Sequence, residues 1–476
     1  MNLFSLIGYK IKQLIRLVIW SCIVFLPANA DLIDIIFWLL VFNFILSDNR
    51  WSTIKENFLF IILMIQYPIY NIIRIYFTSD HNFEIITPTA QYDMWIYCIL
   101  GVILASIFFN EKTTEIYAKV ALPLSLLLVF SLAAYSFHFL NIDKVTLWNG
   151  MVFKAPLFAS TISIILFGML KFNNYKAVIT SIAILSPMLI LSIAYAGTRG
   201  IFIGQTISLF VAALVYLFDR NITKFLALIL SISFGIVTGF LIDNFYNSDF
   251  SERFRIVLTL ISSHYNLVAF IISIMGLFII VLAPTWNKLK QHISINTYIF
   301  TLCSVFIVIG YMIFTKLFHL DHSIVEILND FQNTASVIDP NTSLRLRFLE
   351  IGLSELQGHL IFGRGAYIEP YLAEIVIATH LHLHNNYLSW LIWGGAVGLF
   401  SGLTWLLAPI FIIQNQFYRI PKTPLLMIGL LWSVSLLFDS FFSWTNFTYV
   451  YILLTCMAYY IHKERSYDFC NDTHTS

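Results

Sequence analysis

The chain has 476 residues, of which 59% are hydrophobic and only 11% are charged, and its mean hydropathy is +0.81. A soluble domain of this length needs far more charge to cover its surface, so the composition excludes one. The formal net charge of +1 comes without any basic run, which argues against nucleic acid as a partner. The five cysteines are scattered without metal-binding or redox spacing, and this argues against a disulfide framework.

Apolar residues come in continuous blocks of about 17–22 residues, each long enough to cross a ~30 Å hydrocarbon core as a helix. The strands of an outer-membrane barrel would be shorter and alternating. The sequence therefore predicts an all-α polytopic integral membrane protein with about 12–14 transmembrane helices. The candidate spans are 17–29, 31–47, 57–77, 93–110, 119–139, 155–170, 177–196, 200–218, 224–242, 264–284, 295–317, 386–413, 423–440 and 446–462.

The first two spans are predicted to form a retained hairpin. Lys10, Lys12 and Arg16 precede the first apolar run, as in a signal peptide, but Asp31 leads directly into a second run. A cleavable signal is therefore not expected.

The connections between the spans alternate in charge. One set carries most of the lysines, and the amino end and the tail belong to it. By the positive-inside rule, this set faces the cytoplasm. Its basic residues are Arg50, Lys55, Lys112, Lys119, Lys171, Lys176, Arg220, Lys224, Lys288, Lys290, Arg419, Lys422, Lys463 and Arg465.

The opposite face is poor in lysine and richer in arginine. Arginine binds phosphate through two parallel hydrogen bonds, so this face is equipped for an anionic ligand. Alternatively, each arginine pairs with a nearby acid, such as Asp249, Glu252 or Glu350, or extends to the lipid headgroups. The arginines are Arg74, Arg199, Arg253, Arg255, Arg345, Arg347 and Arg364.

The longest interruption of the apolar pattern divides the chain into three parts. Residues 1–317 hold about eleven spans, 318–385 form an outward loop, and 386–476 hold about three spans and a short cytoplasmic tail. Within the loop, residues 343–356 show the apolar stripe of an amphipathic helix that lies along the membrane surface. The sequence Ile361–Gly365 then predicts a tight glycine turn.

Three histidines at alternate positions, His380, His382 and His384, close the loop. An extended segment would turn all three to one side, as in a metal site, but no outward cysteine or carboxylate pair completes a ligand set, so no metal is expected. One histidine can instead serve as a general base, because imidazole titrates near neutral pH. The alternative is a set of interfacial histidines that bond to headgroups and loop carbonyls.

The order of these features resembles the O-antigen ligase family, whose loop region is shared with many O-antigen polymerases. That family has a small-residue turn with an arginine at the outer end of an earlier span, as at Ala196–Gly200. It has an arginine opening the loop helix ahead of a Pro-x-x-Gly-x-Gly turn, as at 360–365. Its His-x-His-Asn sequence, here 382–385, precedes a span with Gly-x-x-Gly, as at Gly395 and Gly398.

Two departures affect the loop arginine. Counting back from Gly363 and Gly365, the family position falls on Arg345, and Arg347 is two residues out of register. Leu360 replaces the turn proline, and Leu349 stands where an aromatic residue is common. The choice between Arg345 and Arg347 therefore stays open.

The resemblance implies a GT-C-like ligase fold in the bacterial inner membrane, with the loop facing the periplasm. It implies transfer of polysaccharide from undecaprenyl diphosphate to a sugar hydroxyl of lipid A–core, with inversion and without a metal or other cofactor. In that scheme His384 is the general base and Arg199 and Arg345 hold the diphosphate. The assisting residues are Arg347 or Arg364 for the diphosphate, His382 or Asn385 for the acceptor, and Gly363 and Gly365 in the substrate-binding turn.

Two other functions fit parts of the sequence. An O-antigen polymerase would use the same lipid-linked donor and extend another lipid-linked glycan. A polysaccharide transporter or flippase would carry ionisable residues in the middle of its spans and weak repeats between its halves. Here the charges lie at the span ends and in the loop, which favours an enzyme.

Overall fold

The computed structural model describes residues 3–29, 31–78, 88–111, 113–139, 154–172, 175–196, 198–246, 352, 356, 358–363, 385–415, 422–438 and 445–472. Every regular element among these residues is helical, and none of them forms a strand. All of them belong to one unit formed by Met1–Ser251 and Ile351–Ser476.

Thirteen α-helices lie in the described parts of the chain. The ten in the amino-terminal half are α1 (Leu3–Phe25), α2 (Leu32–Ile45), α3 (Arg50–Glu56), α4 (Phe58–Thr78), α5 (Pro88–Phe109), α6 (Thr114–Phe139), α7 (Lys154–Met169), α8 (Tyr175–Ile190), α9 (Arg199–Phe218) and α10 (Ile222–Tyr246). The three near the carboxyl end are α11 (Asn386–Asn415), α12 (Lys422–Ser435) and α13 (Thr445–Asp472).

The predicted spans overlap these helices wherever the structure describes the chain. The spans predicted at 264–284 and 295–317 lie outside the described residues, as does most of the loop predicted at 318–385. The protein is therefore an α-helical, multi-pass membrane protein. Six of its described helices are long and apolar enough to cross a membrane: Phe58–Tyr76, Thr114–Ser136, Tyr175–Tyr195, Arg199–Phe218, Ile222–Asp243 and Asn386–Pro409.

The number of described helices that pass this test of length and hydropathy is smaller than the number of spans that the sequence predicts. Three further apolar helices fall below the length of this test within the described residues: Met94–Phe109, which is part of the 22-residue α5, Ala155–Met169 and Thr423–Ser435. The pair α2–α3, bent by 106°, counts as a seventh candidate if it is taken as one broken span.

The predicted span 446–462 is the central helix of the bundle. Within α13, every residue from Thr448 to Lys463 is buried. A helix that is covered on all sides belongs to the protein core and not to the lipid boundary. On one side, Phe60 of α4 stacks on Tyr459 with the ring centroids 4.0 Å apart.

Aromatic side chains join α13 to the helices that carry the candidate site. Tyr67 of α4 lies against Trp390 and Trp405 of α11, with both centroid distances 5.3 Å. Trp405 in turn packs on Tyr451 of α13 at 4.9 Å, and the Tyr451 hydroxyl donates to the Leu406 carbonyl (3.0 Å). Aromatic pairs of this kind contribute about 0.5–1.5 kcal/mol each beyond the area that they bury.

Ion pairs and hydrogen bonds of basic side chains lie at one end of the bundle. Glu111, after α5, pairs with Lys12 (Nζ–Oε1 3.0 Å) and with the buried Arg16 of α1. Burial lowers the pKa of Lys12, and the positive charge of Arg16 lowers it further. Lys463 of α13 donates to Asn57 Oδ1 (2.6 Å), just before α4.

The same end holds the connection between α9 and α10. Lys224 lies over the rings of Tyr216 (5.0 Å), near the carboxyl end of α9, and Phe172 (5.6 Å), just beyond the carboxyl end of α7. Gly168 of α7 lies against His462, the neighbour of Lys463. The basic connections that the sequence assigns to one set therefore share one end of the bundle in the described residues.

We expect Glu111→Ala to destabilise the protein by about 3 kcal/mol, because it leaves the buried guanidinium of Arg16 without its counter-charge. Glu115→Ala is the matched control, since Glu115 pairs with the exposed Lys119 one helical turn away. Its loss should stay near 0.5 kcal/mol. Thermal unfolding of the purified protein in detergent measures both, and equal losses would contradict the assignment.

Candidate active site

Arg199 is the first residue of α9, and an irregular connection leads into it. α8 continues as the π-helical segment Leu191–Tyr195, and the Thr198 N–H donates back to the Ser192 carbonyl (3.0 Å). π-Helical turns are frequent at functional sites. The helix dipole opposes a cation at this terminus, whereas the first amides attract anions. Arg199 is half-buried at this position, and its role in binding an anionic ligand stays a prediction.

Two glycines one turn apart let α9 pack closely on α12. A Cβ atom added to Gly200 would lie 2.5 Å from the Cβ of Phe438. At Gly204 it would lie 2.7 Å from the Oγ of Ser435. The amino end of α9, with Arg199, therefore lies beside the carboxyl end of α12.

Asn385 caps the amino end of α11. Its side-chain Oδ1 accepts a hydrogen bond from the Leu388 N–H (3.0 Å), and its carbonyl accepts one from the Ser389 N–H (3.1 Å). Asparagine is among the preferred residues at this position. The next amide, that of Asn386, donates to the Leu436 carbonyl beyond the end of α12 (3.0 Å). Asn385 thus has a structural role, and its part in orienting an acceptor stays a prediction.

The segment Leu436–Phe438 connects two of the predicted site motifs. It contacts Gly200, the neighbour of Arg199, and it accepts the hydrogen bond from Asn386, the neighbour of Asn385. Arg199 and Asn385 are far apart in sequence. In the structure, each is one residue away from a direct contact with the same three-residue segment.

The predicted glycine turn is present up to Gly363. Residues 358–363 form a turn in which Gly358 and Gly363 have φ angles of +79° and +68°. This left-handed region favours glycine because a Cβ atom would clash there. The Gly363 N–H donates to the His359 carbonyl and closes the turn (2.7 Å).

The turn packs against a break in α11. Gly395 has φ 62° and ψ −156°, which interrupts the helix. A Cβ atom on Gly363 would lie 2.5 Å from the Gly395 nitrogen, and one on Gly395 would lie 2.6 Å from the Gly363 nitrogen. The two glycines therefore meet backbone to backbone, with no room for a side chain on either.

The turn also supplies hydrogen-bond acceptors that the broken helix lacks. The Ala396 N–H donates to the Leu360 carbonyl (2.7 Å), and the Val397 N–H donates to the Ile361 carbonyl (3.2 Å). A helix interrupted within a membrane must find such partners inside the protein, because lipid offers none. The second half of α11 is thus capped by the turn.

Two side chains of α4 complete this arrangement. The Tyr70 hydroxyl donates to the Gly394 carbonyl (2.8 Å), and Arg74 Nη2 donates to the Gly363 carbonyl (2.7 Å). From the sequence, Arg74 was predicted to be one of the outward arginines but not a site residue, and no role was predicted for Tyr70. Their spacing of four residues on one helix face was the available signal.

The described part of the chain thus includes Arg199, Gly363 and Asn385 of the predicted site. It contains no group of three His, Cys, Asp or Glu side chains that could hold a metal ion. The remaining predicted site residues lie outside the described residues: Arg345, Arg347, Arg364, Gly365, His382 and His384.

By its fold, the protein belongs to the class of multi-pass α-helical membrane proteins. At this end of the bundle, a glycine turn caps a broken helix. No protein-family model and no curated protein matches the chain.

Replacing Gly363 with alanine should destabilise the protein much more than the same change at Gly358. Both positions have positive φ, so each variant carries strain of about 1–2 kcal/mol. Nothing lies within 4 Å of a Cβ atom at Gly358, whereas backbone atoms of α11 surround one at Gly363. Thermal unfolding of the two purified variants gives the comparison. Similar losses would show that the turn does not depend on the glycine contact.

The cap of α11 predicts a different pattern at Asn385. Asn385→Ala should cost about 1 kcal/mol of stability, and Asn385→Asp only a few tenths, because aspartate caps as well as asparagine does. Chemical unfolding of both variants tests this. An aspartate variant as unstable as the alanine variant would argue against the capping role.

Proposed function

We propose that the protein is an O-antigen ligase, which transfers polysaccharide from undecaprenyl diphosphate to a sugar hydroxyl of lipid A–core in lipopolysaccharide biosynthesis. The proposal starts from the resemblance in the motifs around Arg199, the glycine turn and 382–385. It places the active end of the bundle at the periplasmic face of the bacterial inner membrane, with both termini in the cytoplasm.

One observation carries the proposal beyond the sequence. Gly200, in the motif around Arg199, and Asn386, the residue after the motif that ends in Asn385, both contact Leu436–Phe438. A glycosyl transfer between two lipid-linked substrates needs the diphosphate-binding group and the base on the same side of the membrane, close to one another. His384 directly precedes Asn385 in the sequence, so the contact supports a shared site for Arg199 and His384.

The charge distribution supports the sidedness of this site. The basic connections lie at the opposite end of the bundle, where Lys12, Arg16 and Lys463 make their contacts. By the positive-inside rule that end faces the cytoplasm. The end with Arg74 and Arg199 then faces outward, where the lipid-linked polysaccharide is used.

The proposed reaction is a direct displacement at the anomeric carbon of the donor. The acceptor hydroxyl oxygen forms the new bond to this carbon while His384 takes its proton. The bond from the anomeric carbon to the diphosphate oxygen breaks with its electron pair, so undecaprenyl diphosphate leaves with an added negative charge. Attack from the opposite side inverts the configuration.

Arginines stabilise the charge that develops on the leaving diphosphate. Arg199 and Arg345 hold it, and Arg347 or Arg364 assists, while His382 or Asn385 orients the acceptor. The lipid diphosphate is already a reactive leaving group, so the reaction requires neither a metal nor another cofactor. The apolar spans hold the prenyl chain in a lateral groove.

A strain that lacks this gene tests the proposal and separates it from an O-antigen polymerase. Loss of a ligase should leave unligated polymer on undecaprenyl diphosphate, and the plasmid-borne gene should restore capped lipopolysaccharide. A core that carries a single repeat unit would instead identify a polymerase. Unchanged lipopolysaccharide in the deletion strain, together with normal export of polymer, would contradict both the ligase and the polymerase function.

Variants in the same strain test the assigned residues. We expect His384→Ala to lose about 100-fold or more of the ligation, because it removes the general base. Arg345→Lys should lose more activity than Arg347→Lys, since lysine cannot form the paired bonds of a guanidinium. Immunoblots must show normal protein levels. Full activity of the His384 variant would exclude it as the base, and the reverse order of the two lysine variants would assign Arg347.

A further inference from the structure

Tyr70 and Arg74 join three separate parts of the chain. They lie one turn apart on α4, and each donates to a backbone carbonyl on a different partner. Tyr70 bonds to Gly394, in the first half of α11, and Arg74 bonds to Gly363, the last described residue of the turn. The three elements meet at the break in α11, and we refer to this meeting point as the α4–turn–α11 joint.

The joint leaves little freedom to the turn. Gly363 and Gly395 touch through their backbones, and the amides of Ala396 and Val397 are bonded to turn carbonyls. Hydrogen bonds of this kind are strong in a low-dielectric surrounding, and an unpaired partner is costly there. Gly363 is therefore held from α4 through its carbonyl and by α11 through its contact with Gly395.

The position of Gly363 affects the segment that comes after it in the chain. Arg364 is the next residue, and the chain then runs through His382 and His384 to Asn385 at the start of α11. The joint thus determines where this segment begins, and the cap at Asn385 determines where it ends. A misplacement of about 1 Å in a catalytic group can cost about 100-fold in rate.

We propose that Arg74 is a positioning residue for glycosyl transfer, which acts through the Gly363 carbonyl on the segment that carries the general base. This inference rests on the proposed function. It assigns to Arg74 a role through the protein backbone, in contrast to direct binding of the donor diphosphate. The two roles differ in the kinetic constant that they change.

The test uses the full-length protein in nanodiscs, with lipid-linked polysaccharide as donor and lipid A–core as acceptor. Arg74→Met removes the donor group at similar length, and Arg74→Lys retains a donor and the charge. Tyr70→Phe removes the bond to Gly394 without any change of charge. The matched control is Arg50→Met, because Arg50 also donates to backbone carbonyls, at Phe44 and Ile45.

For a positioning residue, Arg74→Met should lower kcat about 10- to 100-fold while the KM for the donor changes by less than about 3-fold. Tyr70→Phe should lower kcat in the same way by a smaller factor. Arg74→Lys should retain most of the activity, and Arg50→Met should match the wild type. A rise in KM as the main effect would assign Arg74 to donor binding and overturn the proposal. Activity losses that only follow the loss of folded protein would overturn it as well.

Hydrogen exchange separates this inference from the proposed function. In Arg74→Met, the amides of Ala396 and Val397 should exchange at least about tenfold faster, because the turn that accepts their bonds is released on one side. Arg50→Met should leave them unchanged. If the wild type transfers no polysaccharide, the proposed function is wrong. Faster exchange of the two amides in Arg74→Met would in that case still show that Arg74 stabilises the α4–turn–α11 joint. Unchanged exchange in Arg74→Met excludes the positioning role whatever the enzyme's activity.

Discussion

The constraint on which this structure depends is that a bilayer offers no hydrogen-bonding partner to the backbone. α11 is interrupted at Gly395, so the amides and carbonyls on both sides of the interruption must be satisfied within the protein. The turn at 358–363 provides the acceptors, and α4 provides donors. The position of the turn is thus a consequence of the broken helix, and the glycines are required by the close approach of the two backbones.

A second constraint is the close packing of the helices at the end of the bundle that carries the candidate site. Gly200 and Gly204 bring α9 against α12, and the carbonyl beyond α12 receives the first amide of α11. The carboxyl end of α12 and the residues after it therefore contact two parts of the chain that are distant in sequence, the start of α9 and the start of α11. Behind α12, the buried α13 and the rings of Tyr67, Trp390 and Trp405 hold the bundle together.

Much of this architecture follows from the sequence, because long apolar runs in a membrane protein have few alternatives to the helix. Lysine placement separated the two ends of the bundle, and the positive φ of Gly363 agrees with the predicted glycine turn. Local patterns also indicated Asn385 as the boundary of α11, although as a substrate ligand and not as a cap.

Other features depend on tertiary contacts that no local pattern encodes. The break at Gly395 exists because the turn can cap it, and the role of Arg74 exists because α4 passes beside that turn. The burial of α13 was missed because a helix inside a bundle and a helix facing lipid are equally apolar. The π-helical segment before Arg199 has no composition of its own that distinguishes it from the rest of α8.

Gly363 and Asn385 flank the segment 364–384, and both are attached to α11. Gly363 meets α11 at Gly395, and Asn385 caps its amino end, so these two anchors are about ten residues, or about 15 Å, apart along the helix axis. The entropy of closing such a loop grows only slowly with its length. Doubling the number of residues between these two anchors would therefore cost only about 0.6 kcal/mol in closure entropy, so the anchors themselves set no narrow limit on the length of the segment that joins them.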